Sequence, residues 1–388
     1  MNTADSEEMS QPLAQRGFSA TSNLKDADIV LMNTCTVREQ AEHRADSNIG
    51  RLRVWKGQNP HRILIVAGCA ASRWGDSIQR KYPFIDLVSP ATKIEEFPDA
   101  IEKVLKARWN FGTETSEHFN DNMTRASVIR DTTEHATLPR TTYHAPFIFG
   151  SNETAYVTIM RGCNYSCSYC IVPQVRGREL YRPMMDILAE IHHKVAQGYK
   201  EVMLLGQTVN SYHDRPETNS NPMDFADLLR AVNAIPGLER IRFMSPHPRH
   251  MRDPVIQAMK NSEKVCRHIH LPVQSGSTRL LEQMKRLYTH KEYVAIVDKL
   301  RTAMPGILIT TDIIVGFPGE TEFDFLQTLS LLQEVQFNGL FAFKYSPRPG
   351  TASADLPDDV PDLEKEDRLQ KVLALNQEIK MPSSAVSA

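Results

Sequence analysis

Three cysteines fall within eight residues in the run Arg161-Gly162-Cys163-Asn164-Tyr165-Ser166-Cys167-Ser168-Tyr169-Cys170, a C-x-x-x-C-x-x-C array that follows the apolar stretch Ala155–Met160. Thiolates are soft ligands suited to iron–sulfur clusters and to zinc. In a [4Fe-4S] cube each thiolate serves one iron, so three local thiolates leave one iron open to a small molecule. Structural zinc sites usually combine two pairs of cysteine or histidine ligands, and no second pair follows this array. Tight turns through Gly162, Asn164 and Ser166 would let the three side chains converge. A disulfide reading lacks the secretory features that would accompany it.

Other residues with chemical capacity lie at the ends of apolar runs. Cys35 and Cys69 each stand just past the carboxyl end of an expected strand, Asp28–Asn33 and Arg62–Ala67. That edge is where open α/β sheets place ligands, although a buried cysteine is also an ordinary core residue. Gln207 follows the run Val202–Gly206, and His247 lies in a loop after Arg240–Ser245. Gln274 and Ser275 follow His268–Pro272 and are placed to hydrogen-bond a ligand. Asp312 lies in Leu308–Val315, and Gly316 lies in the turn that ends it, where backbone can approach a flat ring. Cys266 and His270 have no metal-ligand spacing and read as core residues. The best basic patch is Arg176-Gly177-Arg178-Glu179-Leu180-Tyr181-Arg182. Guanidinium groups grip phosphates and stack on bases, and an aromatic ring such as Tyr181 stacks as well. The patch therefore reads as an RNA contact through Arg176, Arg178, Tyr181 and Arg182, with a solvated, salt-bridged loop as the plainer alternative.

The elements that must position these groups alternate regularly. With 388 residues the chain exceeds one typical core, so more than one domain is expected. Residues 1–110 read as an open parallel α/β domain, with a third strand at Ile85–Ser89 and helices from Val37 to about Leu52 and over Ile94–Ala107. Residues 111–152 are polar and aperiodic and read as a linker. Residues 153–350 carry six strands, the last at Leu340–Tyr345. Helices are expected at Pro183–Gln197, Asp224–Asn233, Pro254–Lys260, Thr278–Met284, Lys291–Ala303 and Glu322–Val335. This is the pattern of a partial (β/α)6 barrel, whose chemistry sits at the carboxyl ends of its strands. Residues 351–388 add an amphipathic helix, Asp362 to about Lys380, with leucines at helical spacing, and a tail. The formal net charge of −2 gives no global nucleic-acid footprint, and no run is apolar enough to span a bilayer, so no membrane partner is expected.

The cysteine array resembles the signature of radical S-adenosylmethionine (SAM) enzymes. The runs Met1-Asn2-Thr3-Ala4-Asp5-Ser6-Glu7 and Asn33-Thr34-Cys35-Thr36-Val37-Arg38-Glu39-Gln40-Ala41-Glu42 are similar to the amino-terminal domain of the methylthiotransferases within that group. The run Leu205-Gly206-Gln207-Thr208-Val209-Asn210-Ser211-Tyr212 resembles their tRNA-directed branch. The resemblance extends from residue 1 to about 380. It implies a [4Fe-4S] cluster on Cys163, Cys167 and Cys170 whose open iron chelates SAM. It places Tyr169 near the adenine, and Gln207, Gln274, Asp312 and Gly316 among the SAM contacts; the acidic residue usual near Gln207 is missing. It also implies a second, auxiliary [4Fe-4S] cluster on Cys35 and Cys69. The family's first auxiliary cysteine and preceding strand lie before the point where this sequence begins, which would leave a neighbouring sheet edge unpaired. The family usually continues into a small RNA-binding β-barrel domain, which this sequence does not include.

The implied reaction installs a methylthio group at C2 of N6-isopentenyladenosine at position 37 of tRNA. The C2–H bond resists ordinary base catalysis, so a SAM-derived radical removes the hydrogen and the auxiliary cluster presents the sulfur. Partners implied are the tRNA anticodon loop, an electron donor of flavodoxin or ferredoxin type and a sulfur source, for a cytoplasmic monomer. Alternatives are a methylthiotransferase for threonylcarbamoyladenosine or a ribosomal protein, and a truncated form that cleaves SAM without transfer.

Overall fold

The computed structural model describes residues 1–21, 23–36, 39–109, 125–130, 154–215 and 222–380. Two compact units result. The first takes the described residues up to 143 together with Ile171–Gly177; the second takes the rest.

Sequence periodicity accounts for the first unit. Its central strands β2 (Ile29–Thr34) and β3 (Ile63–Gly68) are buried along their whole length. Side chains alternate across a strand, so one apolar run supplies two faces. Ile29 and Leu31 pack with Met9 and Leu13 of α1 (Asn2–Ala14) and with Ile101 and Leu105 of α5 (Phe97–Trp109). Val30 and Met32 pack with Ile49, Leu52 and Trp55 of α2 (Glu39–Gln58). The parallel sheet has the order β1-β5-β2-β3-β4, with β1 at Ser19–Ala20, β4 at Leu87–Pro90 and β5 at Arg125–Arg130. Short helices α3 (Cys69–Trp74) and α4 (Asp76–Lys81) follow β3. The five-residue helix α6 (Val172–Arg176) also folds here, although in sequence it follows the cysteine array.

Two expectations are corrected. The edge of β2 is not left unpaired: β5 runs parallel to it from Ile29 to Asn33 and also pairs with β1. This strand lies inside the stretch read as linker, where three apolar residues in six, flanked by arginines, are too weak a signal to stand out from polar surroundings. The remaining linker positions lie outside the described residues, as does the tail after Lys380.

The second unit follows its expected pattern closely. β6 (Thr154–Thr158), β9 (Glu201–Leu205) and β12 (Arg240–Phe243) form one parallel sheet, while β13 (His268–His270), β14 (Leu308–Val315) and β15 (Gly339–Lys344) form another. A parallel bridge between Ile241 and Val265 connects the two into a six-stranded arc. Short antiparallel ladders pair β7 (Met160–Arg161) with β8 (Leu180–Tyr181), and β10 (His213–Asp214) with β11 (Met223–Asp224). The intervening helices are α7 (Met184–Ala196), α8 (Phe225–Asn233), α9 (Asp253–Asn261), α10 (Thr278–Gln283), α11 (His290–Ala303) and α12 (Glu322–Val335). Capping boxes at Asp224/Asp227, Thr289/Glu292 and Thr321/Asp324 fix three of their starts.

The last helix, α13 (Asp362–Lys380), packs Leu369, Leu373, Leu375 and Ile379 against the barrel core, as its leucine spacing predicts. Its fully buried positions are Lys365, Arg368, Val372 and Asn376, whereas Leu363 is exposed. Arg368 pairs with buried Glu320 at 2.7 Å, and Lys365 reaches Asp358 at 2.6 Å, so ion pairs reinforce the apolar docking face. Among the described residues no helix is long and apolar enough to cross a membrane.

Candidate active site

The cysteine loop leaves β7 through Gly162, whose positive φ of 75° is a conformation glycine adopts without strain. The scaffold then pins the loop. The Ser168 N–H donates to Met284 O at 3.1 Å, the Ser168 hydroxyl donates to Gln283 O at 2.9 Å, and the Ser353 N–H donates to Ser168 O at 2.8 Å. The Cys170 N–H closes a turn onto Cys167 O at 3.0 Å. The Asn164 amide and Glu179 exchange hydrogen bonds of 3.1 and 3.2 Å, and Tyr165 bonds His250 at 2.6 Å while stacking on His247 at 4.2 Å.

Each thiol has a distinct environment. Cys163 lies 3.5 Å from the Thr208 hydroxyl, and burial pushes its thiol up, with Thr208 working against that shift. Cys167 is buried and accepts from Arg286 Nη1 at 3.4 Å. Arg286 is itself buried; its Nε donates to the Tyr288 hydroxyl at 2.9 Å. Tyr169 packs beside Leu280, Met284, Phe317 and Tyr345, and desolvation pushes its phenol well above the usual range, partly offset by Arg286. Sequence reasoning missed Arg286. It sits between Lys285 and Leu287, both at positive φ, and nothing in its local sequence marks a loop arginine as buried.

The other expected SAM contacts lie at the carboxyl ends of the barrel strands or within β14. Gln207 donates its N–H to Met160 Sδ at 3.2 Å, and its side-chain Oε1 is buried without a hydrogen-bond partner. Gln274 is buried with φ of 77°, held by a backbone exchange with Asp312 O and Ile314 N–H. Asp312 accepts from His270 Nε2 at 3.2 Å, and His270 Nδ1 meets Thr310 at 3.0 Å; His270 is thus a bonded interior residue, as expected. Gly316 is closely packed. Its N–H donates to Glu320 at 2.5 Å, and a Cβ there would lie 2.2 Å from Lys365 Cγ.

The basic patch divides. Arg176 is corrected as an RNA contact, because its guanidinium is buried within the first unit: Nη2 donates to Asp5 at 2.8 Å and Nε to Cys69 Sγ at 3.0 Å. Burial opposes its charge, but Asp5 and Cys69 more than compensate and keep the guanidinium protonated. Arg182, partly exposed, donates to Thr158 O at 2.8 Å and pairs with Glu190 at 2.6 Å. Arg178 is exposed. Tyr181 donates to Glu179 and leans on the exposed His213 ring at 4.1 Å. A cavity of about 420 Å³ opens there, lined by Tyr165, Tyr181, His213, His250 and Arg252 among others.

In the first unit, Cys35 follows β2 and Cys69 opens α3 after β3, so neighbouring strands deliver both to one sheet edge. Burial raises the Cys69 thiol; Arg176 opposes this, and Cys35 is close enough to add to it. Gly68 has φ of 95°, and a Cβ there would meet Asn33 Oδ1 at 2.3 Å, so the approach of the strand ends requires glycine.

Two family descriptions match the sequence: the Radical SAM superfamily over residues 157–332, and the uncharacterized protein family UPF0004 over residues 1–90. A protein of Thermoanaerobacter sp. (strain X514) named tRNA-2-methylthio-N(6)-dimethylallyladenosine synthase is 42% identical over 387 residues, covering 99% of this chain and 77% of that one. A protein of the same name from Caldicellulosiruptor saccharolyticus is 43% identical, covering 98% and 76%. The chain belongs to the radical SAM methylthiotransferase family. Its fold is also similar to that of the radical SAM methyltransferase TsrM from Kitasatospora setae, with a TM-score of 0.61 at 15% identity over 90% of this chain and 74% of that one.

The barrel residues fit the cluster and SAM that such an enzyme uses, and the first unit offers two thiols, Cys35 and Cys69, toward the auxiliary cluster. Among the described residues no three His, Cys, Asp or Glu side chains gather as a single metal ion would require. A [4Fe-4S] cube makes a different demand, since its thiolates bind separate irons. Cys163, Cys167 and Cys170 share one pinned loop, and the unpartnered Gln207 Oε1 is an acceptor suited to an ammonium group such as that of SAM. Beside Cys35 and Cys69, Arg176 Nη1 is a buried donor without a partner, suited to the sulfur of an anionic cluster.

Proposed function

We propose that this chain is a tRNA methylthiotransferase that installs a methylthio group at C2 of N6-isopentenyladenosine at position 37. The observation that carries this reading is the coexistence of a pinned three-cysteine loop at the mouth of the partial barrel and a second thiol pair in the amino-terminal unit. Cys163, Cys167 and Cys170 hold one [4Fe-4S] cluster, which supplies, when bound, the electron for reductive cleavage of SAM. Cys35 and Cys69 serve the auxiliary cluster, which supplies the sulfur to be transferred.

The chain's own residues do the positioning. Arg286 and Thr208 hydrogen-bond two of the three cysteine sulfurs. Gln207 would accept from the SAM amino group, and Tyr169, Gln274 and Asp312 would hold the rest of the cofactor. The cavity beside Tyr165 has stackable rings and Arg252 at its wall, which suits a nucleotide of the anticodon loop drawn out of its stack; Arg178 and Tyr181 add contacts. Each turnover consumes two molecules of SAM, one cleaved to the radical that removes the C2 hydrogen and one giving the methyl group to the sulfur, together with a reducing electron and a sulfur atom that no side chain provides, so a flavodoxin- or ferredoxin-type donor and a sulfur source are required. The enzyme acts in the cytoplasm as a monomer.

The test is anaerobic reconstitution followed by incubation with SAM, a reductant and tRNA bearing isopentenyladenosine. Nucleoside mass spectrometry should show the 2-methylthio product together with 5′-deoxyadenosine. Release of 5′-deoxyadenosine without that product, but with product on threonylcarbamoyladenosine tRNA or a ribosomal protein, would reassign the substrate. No 5′-deoxyadenosine at all would overturn the reading.

A further inference from the structure

We propose that Arg176 is a positioning residue of the auxiliary metallocentre, holding Cys69 through Nε and keeping Nη1 for a sulfur of the group bound at Cys35 and Cys69. This rests on the assignment of those cysteines to a cluster. Three directions of the guanidinium have three different fates. Nε donates to Cys69 Sγ at 3.0 Å, and Nη2 donates to Asp5 at 2.8 Å and lies 3.4 Å from Asn2 Oδ1. Nη1 is buried with no partner, while Arg176 as a whole is 7% exposed.

A buried ion pair alone explains only Nη2. It does not explain why Nε is spent on a thiol, a weak acceptor, or why a third donor is left unmatched at the cost of its desolvation. Both follow if the neighbouring thiols carry an anionic cluster. Asp5 neutralises the cation in its absence, and the rigid fork of arginine reaches the carboxylate, a ligand sulfur and a cluster sulfur at once, which a lysine ammonium cannot. The local sequence is built to bring the arginine there. Ile171 and Val175 of the α6 segment pack on Cys69 and Ala91, and Gly177, at φ of 74°, ends the helix directly after Arg176.

The experiment uses the full chain with Cys163, Cys167 and Cys170 all changed to alanine, so that any iron reports the first unit alone. Iron and sulfide are measured after anaerobic reconstitution, and the midpoint potential by titration monitored with electron paramagnetic resonance. Removing the cation and its sulfur hydrogen bonds should disfavour the reduced cluster. The paired change Asp5→Asn with Arg176→Gln keeps the shape and removes both charges. It should fold as judged by circular dichroism, bind iron about tenfold more weakly, and shift the remaining cluster to a lower potential. Arg176→Lys, which keeps the charge but not the fork, should also lose affinity, and it carries the test if the paired variant does not fold. Unchanged affinity and potential in a folded variant would overturn the proposal. An absence of iron before Arg176 is changed would overturn it too; SAM cleavage by the chain with its barrel cysteines intact would then show that the barrel reading survives.

Discussion

Cys163, Cys167 and Cys170 arrive within eight residues on one loop, whereas Cys35 and Cys69 come from the ends of two neighbouring strands and draw Asp5 and Arg176 from opposite ends of their unit's sequence. In the first case the scaffold comes to the loop: Met284, Gln283, Ser353 and Arg286 hold a site whose ligands are already local. In the second the site exists only when α1, β2, β3 and α6 are assembled. A local site can lose its chemistry and keep its fold. A dispersed site should lose both together when one member of its buried ion pair is removed alone.

The largest expected effect tests the first half of that contrast. Cys167→Ala should abolish SAM cleavage, measured as 5′-deoxyadenosine, and lower bound iron by about half while leaving the unfolding transition of the chain in place. Residual cleavage at an appreciable rate would mean that the three thiols do not act as a set. The second half is tested by Asp5→Ala, which strands the buried Arg176 charge. The two side chains are 3% and 5% exposed, and breaking such a pair costs roughly 3–5 kcal/mol. Trp55, Trp74 and Trp109 all lie in the first unit, so tryptophan fluorescence during urea unfolding isolates it. An unchanged midpoint would remove Asp5 and Arg176 from that unit's architecture.

The same contrast explains what could be read in advance. The barrel strands and helices were legible because each carries its own period and punctuation; Glu322–Val335 and Leu308–Val315 are found at their expected bounds. The cysteine loop was legible because its ligands are consecutive. Arg176 was misread because an Arg-Gly-Arg run looks like a phosphate grip, and only tertiary structure reveals a carboxylate 171 residues away. The strand β5 was hidden because partners on β2, not its own composition, make it a strand. On α13 the leucine spacing marked the docking face but not the buried Lys365 and Arg368 within it, whose partners Asp358 and Glu320 lie outside the helix.

Two smaller effects sharpen the picture of the pinned loop. Arg286→Gln removes the buried donor to Cys167, and second-sphere losses of this kind lower activity by about tenfold or more. SAM cleavage should fall accordingly while the iron content stays near that of the unaltered chain; loss of the cluster itself would make Arg286 a structural support instead. Gln207→Ala removes one hydrogen-bond acceptor, worth about 1 kcal/mol, and should weaken SAM binding by up to about tenfold. Equal affinity, measured by calorimetry on the reconstituted protein, would take Gln207 out of the SAM site.

The smallest effect concerns His247, which backs the loop from below Tyr165. Its Nδ1 accepts from the Arg249 N–H at 3.2 Å, so the proton of the neutral ring resides on Nε2, which is buried without a partner. Desolvation, with Arg286, His250 and Arg249 nearby, lowers its pKa from an ordinary 6.5 to about 2. A folded-state value below the unfolded one means that the unfolded chain binds the extra proton. The neutral ring's contribution is therefore fully present above pH 6.5 and is lost progressively as the pH falls toward 2. His268, lowered to about 4, adds a slope of its own over the upper part of that window, so the comparison must be made against a variant at position 247. His247→Phe keeps an aromatic face for Tyr165 and cannot titrate. Its stability at pH 7 should lie within about 1 kcal/mol of the unaltered chain, reflecting the lost Arg249 bond. Its relative stability should then improve steadily between pH 6.5 and 4 in denaturant unfolding followed by circular dichroism. A difference that stays flat over that interval would mean that the ring charges in place, and that the support beneath the cysteine loop is more open to water than its burial indicates.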